Sequence, residues 1–251
     1  MPIPSATPMR LIPDLVLVGN RFERGRAVTV VADGRLGETG AAPAGDLPDA
    51  IRLPGKALLP GTVNTHCHAF QSLLRGLGDD LDFMQWRDRV LYPYSTRLDR
   101  AGIYLGAAFA FAEMLVHGVT TCVDFFYLQD AGNENAEAVI QAARDTGIRL
   151  VLARAMYDWE GAPPRYREEP RVAARRVSEL IRRHARDPMV SVQPAPHSPH
   201  GASAAMIRAG FEVAETESIP FHIHVAEGQY EGARTLAEHG ATPIRYLDGL
   251  G

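Results

Sequence analysis

Lysine is nearly missing from this sequence: 25 of its 26 basic residues are arginine, and Lys56 is the only lysine. Any site that depends on a lysine amine therefore has one candidate. Cysteine is scarce as well. Cys67 and Cys122 cannot build a disulfide framework, which favours a reducing compartment. No apolar run reaches the roughly 18 residues of a membrane-spanning helix. The start, Met1-Pro2-Ile3-Pro4-Ser5, has neither the basic nor the apolar region of a secretory signal. A charge excess is absent too: 26 basic against 30 acidic residues leave a net charge of −4, with no nucleic-acid or anionic-membrane footprint. The expectation is a cytoplasmic protein acting on a small molecule, without nucleic-acid or membrane partners, with a homo-oligomer left open.

What remains is ordinary globular material. The 251 residues are 46% hydrophobic and 22% charged, enough to bury one large core or two modest ones. The beginning reads as β-structure, with short apolar runs at 14–18 and 27–31, turn chemistry at Gly19-Asn20 and Asp33-Gly34, a loop over 39–50, and a short strand at Ile51-Leu53 closed by Pro54-Gly55. From Leu58 strands alternate with helices. Strands are expected at 58–64, 119–126, 148–153, 189–195 and 219–225, and helices at 99–117, 134–146, 170–185, 203–216 and 230–239, with a short one after Pro243. Five strands, each followed by helical sequence, predict an α/β fold with a parallel sheet. A doubly wound sheet and a (β/α)8 barrel both fit the alternation. The first strand, however, leads into Thr65-His66-Cys67-His68 rather than a glycine-rich phosphate loop, which weakens a nucleotide-binding reading.

The chemistry concentrates at strand ends. Side chains alternate along a strand, so His66 and His68 share one face and Cys67 takes the other. Two imidazoles on one face can chelate a divalent metal, although such pairs also occur packed against loops. His222-Ile223-His224-Val225-Ala226-Glu227 repeats the device at the fifth strand and adds a carboxylate. His224 is nearer the strand end and is the better ligand, while His222 is placed to hold an interior hydrogen bond. Glu227 could reach a metal-bound water, or serve as an acidic residue at the next helix start. His197 closes the fourth strand on the same rim and could polarise a substrate oxygen, with His200 a weaker candidate in the following loop. His117, His184 and His239 sit near helix ends, where the macrodipole accounts for them. Cys67 and Cys122 read as small packing residues, and Trp86 as an aromatic wall or a core residue. There is neither a Gly-x-Ser-x-Gly elbow nor a His-Glu-x-x-His helix, which leaves serine hydrolases and zincins poorly supported.

Leu59-Pro60-Gly61-Thr62-Val63-Asn64-Thr65-His66-Cys67-His68, taken with His222 to Glu227, resembles the amidohydrolase superfamily, in particular its branch of cytosine, guanine and S-adenosylhomocysteine deaminases and triazine hydrolases. The resemblance implies a (β/α)8 barrel, of which five strand–helix units are present at 59–251, beside a small β-sandwich to which residues 1–58 contribute. It implies His66, His68 and His224 as ligands of one divalent metal, zinc with iron as the alternative. It gives Glu227 the proton-shuttling role and makes His197 a substrate-binding histidine. Binuclear relatives bridge two metals with a carboxylated lysine on the fourth strand. Here that strand ends in Ala195-Pro196-His197 and Lys56 is elsewhere, which implies a mononuclear site and deamination.

Ala69-Phe70-Gln71 and Asp124-Phe125-Phe126-Tyr127 locally resemble formimidoylglutamate deiminase, implying substrate contacts for Gln71 and Tyr127. That enzyme's carboxylate-gripping arginine, three residues after the substrate histidine, is His200 here, so its substrate is demoted. The expected activity is metal-dependent hydrolytic deamination of a small heterocyclic amine: a purine, pyrimidine, pterin or related ring. The alternatives are a deiminase of acyclic formimino or guanidino groups, and a non-catalytic metal-binding fragment or subunit. The family's further histidine and aspartate have no counterpart before Gly251, so the barrel is expected to be incomplete in this chain.

Overall fold

The computed structural model describes residues 9–32, 34–45 and 48–251. Met1 to Ser5 and Asp33 of the expected Asp33-Gly34 turn lie outside the described residues. The chain divides into two compact units, the second beginning at Thr62.

The first unit is a sheet of β1 (Met9–Val18), β2 (Arg21–Glu23), β3 (Arg26–Val30), β4 (Leu36–Ala41) and β5 (Ala50–Leu58). β1 pairs antiparallel with β2 and β3 and parallel with β5, and β4 lies against β3. Two local expectations fail here. Residues 39–41, read as loop, finish β4, whose pairing with β3 overrides their glycine-rich composition. Pro54-Gly55 does not close β5 but sits inside it, where the register slips opposite Pro13–Leu15. Gly55 takes φ +70° there, and its N–H is met by Asp14 Oδ2 at 2.9 Å, so the strand bends and continues.

The second unit carries β6 (Thr62–Cys67), a 3₁₀ turn (Ala69–Leu74), α1 (Phe83–Trp86), a π-helical stretch (Arg87–Leu91), α2 (Tyr92–Ser95), α3 (Arg100–Val116) and β7 (Val119–Phe126). It continues through α4 (Glu134–Thr146), β8 (Arg149–Met156), α5 (Pro170–His184), β9 (Val190–Pro196), α6 (Ala204–Glu217), α7 (Gln229–His239) and α8 (Pro243–Asp248). The helix starts are written locally. Asp99, Glu169 and Ser203 each accept the backbone N–H three residues on, and Gly147 ends α4 in the left-handed conformation.

The four laddered strands pair in parallel, in the order β6-β7-β8-β9. No reversal of strand order occurs among them, so the described strands lack the switch point of a doubly wound sheet. β7 and β8 are each buried over their last five residues, as strands covered on both faces must be. Gly106 of α3 lets that helix close on the 3₁₀ turn after His68, since a Cβ there would stand 3.0 Å from the Phe70 carbonyl oxygen.

The fifth expected strand, 219–225, forms no ladder among the described residues. It runs beside β9 through His222 N–H to Pro194 O (3.0 Å) and His224 N–H to His197 O (2.9 Å). The return bond of a parallel ladder would have to come from the N–H of residue 196. That residue is proline and has none. No helix of the described residues is long and apolar enough to cross a membrane.

Candidate metal centre and cavity

The ends of β6, β7 and β9 and the segment after Phe221 gather four histidines around Phe125, whose ring centroid is 4.3 Å from His224 and 5.7–5.9 Å from His66, His68 and His197. The alternation inferred along β6 holds. His66 and His68 lie 4.9 Å apart by ring centroid, while Cys67 faces away, its Sγ 3.2 Å from Cys122 Sγ and 3.6 Å from Asp124 Oδ1. Both cysteines are free thiols.

His68 Nδ1 donates to Phe125 O at 2.6 Å, and His224 Nδ1 to His197 O at 3.1 Å. These bonds fix each ring's tautomer and leave Nε2 with a free lone pair. His224 Nε2 stands 3.2 Å from His66 Nε2, and ligand atoms of His66, His68 and His224 all lie within 4.8 Å of one another. Two nitrogens bound tetrahedrally to zinc at about 2.0–2.1 Å are separated by about 3.3 Å, so the donor set fits such an ion. Charge fits as well. Burial pushes His68 down to about 3, His66 is lowered by burial and by His224, and His224 is lowered by burial. All three are therefore neutral near pH 7, the form that ligates.

Beside this cluster lies a cavity of about 110 Å³ lined by His68, Gln71, Trp86, Tyr127, His197, His224 and Glu227. Of the residues expected as metal ligands, proton shuttle or substrate contacts, His66 alone is outside the lining, in contact with His224. Gln71 Nε2 donates to the Tyr127 hydroxyl. His197 is held by Ser198 Oγ at 2.8 Å and lies well below the usual histidine range because it is buried. Burial raises the Glu227 carboxyl above the usual carboxylate range, against a hydrogen bond from Tyr230 and the charge of Arg87. His222 turns to Gln193, its Nε2 donating to Oε1 at 2.5 Å. A wider depression of about 440 Å³ beside Arg97 and Arg165 contains none of these residues.

Sequence reasoning missed several neighbours. Tyr157, Phe83, Arg87, Tyr92 and Tyr166 line the cavity, and so does His200, the weaker loop candidate of the sequence. Tyr157 carries a usable signal, since it is the first residue beyond the C-terminal end of β8. Arg87 carries none: a π-helical stretch brings it in, and periodicity does not foresee that. Glu231, wholly buried, accepts the Glu227 N–H at 2.7 Å.

A family model described as "Amidohydrolase family" matches residues 57–251. A 5-methylthioadenosine/S-adenosylhomocysteine deaminase of Syntrophobacter fumaroxidans is 30% identical over 238 residues, covering 93% of this chain and 51% of the relative. A 5'-deoxyadenosine deaminase of Methanothermobacter thermautotrophicus is 30% identical, covering 90% of this chain and 51% of the relative. The chain thus spans about half the length of the curated relatives it matches. Among solved structures, an adenosine deaminase from Xanthomonas campestris with bound zinc superposes with TM-score 0.84 at 25% identity, covering 97% of this chain and 55% of that one. An atrazine chlorohydrolase from Arthrobacter aurescens, complexed with zinc, does so with TM-score 0.84 at 20% identity, over 97% and 58%.

Proposed function

The chain belongs to the amidohydrolase family, and from that premise we propose that it performs the hydrolytic deamination of a small heterocyclic amine at a single divalent metal ion, zinc before iron. The observation that carries this is the convergence of three neutral imidazoles, two of them fixed by backbone carbonyls, on one point beside a cavity with a carboxylate. Relatives named as adenosine-type deaminases, and zinc-bound neighbours, support the same reading. We place the second unit within a (β/α)8 barrel, with residues 1–58 serving a small β-domain, in a cytoplasmic enzyme whose partner is a small-molecule substrate.

His66, His68 and His224 would hold the ion. When bound, zinc supplies a nucleophile at neutral pH by lowering the pKa of water from about 15.7 to about 7. The residues of the chain do the rest. Glu227, its carboxyl raised toward working pH, would take one proton of the attacking water at a carboxylate oxygen and pass it to the ring nitrogen, then take the second and pass it to the leaving amine, which departs as ammonia. His197 offers an imidazole nitrogen to charge developing on the ring. Gln71 and Tyr127, bonded to each other, present a polar edge. Trp86 offers an aromatic face for stacking a planar substrate.

The test is metal content. Wild-type protein should retain about one zinc per chain after dialysis, and the His66→Ala, His68→Ala, His224→Ala triple variant none. Unchanged zinc in the triple variant overturns the assignment.

A further inference from the structure

Glu227 reaches the cavity on an unusual piece of backbone. Ala226, just before it, has φ +56°, the left-handed region that residues with a Cβ seldom occupy. Such a conformation is strained and persists only where its surroundings enforce it. The residue capping the following helix is Gly228, which has no side chain to do so.

The enforcing group comes from inside α7. Glu231, in its first turn, sends its carboxylate back past the cap to accept the Glu227 N–H at 2.7 Å, and the Ala226 N–H also faces it. In the usual capping box the third helical residue bonds the N–H of the cap itself. Here it bonds the residue before the cap, the one that carries the working carboxylate. Glu231 is wholly buried, and Thr235 Oγ1 ties its carbonyl at 2.8 Å. It does not line the cavity. His200 stands between the two carboxylates, its Nε2 3.6 Å from Glu227 and its Nδ1 4.0 Å from Glu231.

We propose that Glu231 is the positioning residue for Glu227: its buried carboxylate holds the Ala226–Glu227 turn in the left-handed form and so aims the proton-moving group into the cavity. The inference rests on the role given to Glu227 above. Glu231 acts only through that neighbour and touches neither substrate nor metal.

Two variants of the zinc-loaded full chain test it. Glu231→Met fills the buried space without an acceptor, and Glu231→Gln keeps an amide oxygen that can still accept. In hydrogen exchange of a peptide spanning residues 225–232, Glu231→Met should speed exchange of the Glu227 amide about 10-fold or more, while Glu231→Gln retains most of the protection. Zinc content should not change in either variant. In steady-state kinetics Glu231→Met should lower kcat by about 10- to 100-fold with KM within about threefold, and Glu231→Gln should recover part of the loss. In a Glu227→Gln background Glu231→Met should cost nothing further. Unchanged exchange at Glu227, or an equal kinetic loss in the Glu227→Gln background, overturns the proposal. Full activity of Glu227→Gln alone overturns instead the role of Glu227 from which the proposal starts.

Discussion

Two clusters of polar side chains in the second unit make an instructive pair. Around Arg154, fully buried in β8, the hydrogen bonds are made within the protein. Its Nε donates to Asn133 Oδ1 at 2.9 Å and its two terminal nitrogens to Glu168 at 2.8 and 2.9 Å, and Glu168 also takes Arg176 at 2.6 Å. The histidine cluster is arranged oppositely. Nδ1 of His68 and of His224 is tied to a carbonyl, while Nε2 of His224 faces Nε2 of His66 rather than a donor. The neighbouring Glu227 region leaves His200 Nδ1 and Glu231 Oε1 without partners. A buried polar group completed by the protein is holding the fold. One prepared on a single side and left open on the other is prepared for something that arrives.

That contrast can be broken by experiment. The largest effect is expected on the open side: Glu227→Gln should lower kcat by about 10²- to 10⁴-fold, the range of a positioned acid–base group, while zinc content and unfolding midpoint stay put. On the closed side, Glu168→Ala strands the Arg154 guanidinium. It should cost about 3–5 kcal/mol in urea unfolding, with zinc binding at the histidines retained once the protein is folded. If Glu168→Ala were harmless and Glu227→Gln unfolded the protein, the distinction between the clusters would collapse.

A smaller, graded effect should separate them by pH. His68 titrates near 3 in the folded chain and near 6.5 when unfolded. Between those values the unfolded state binds the extra proton, so stability rises with pH there and is lost as pH falls from 6.5 toward 3. The urea midpoint of zinc-free protein should decline across that window, and His68→Ala should flatten the decline.

Much of this was legible in the sequence, for identifiable reasons. Helices α3 to α7 were readable because Asp99, Glu169, Ser203, Gly147 and Gly240 mark their ends with local chemistry. The His66–His68 pair was readable because strand alternation is a strict geometric rule. The ladder at 219–225 failed as an expectation because it depended on a partner, Pro196, that cannot return a bond. β4 was hidden because pairing with β3, not its own composition, makes it a strand. Arg87 and Glu231 were hidden for a related reason: a π-helical stretch and a backward-reaching cap place them, and neither leaves a periodic trace.

The central claim is that three histidines make one metal site, and locating zinc directly in crystals of the zinc-loaded chain tests it. Anomalous scattering at the zinc edge should show one strong peak about 2.0–2.1 Å from Nε2 of His66, His68 and His224. A peak instead among His200, Glu227 and Glu231, the other group among the described residues close enough to share an ion, or no peak at all, would contradict it.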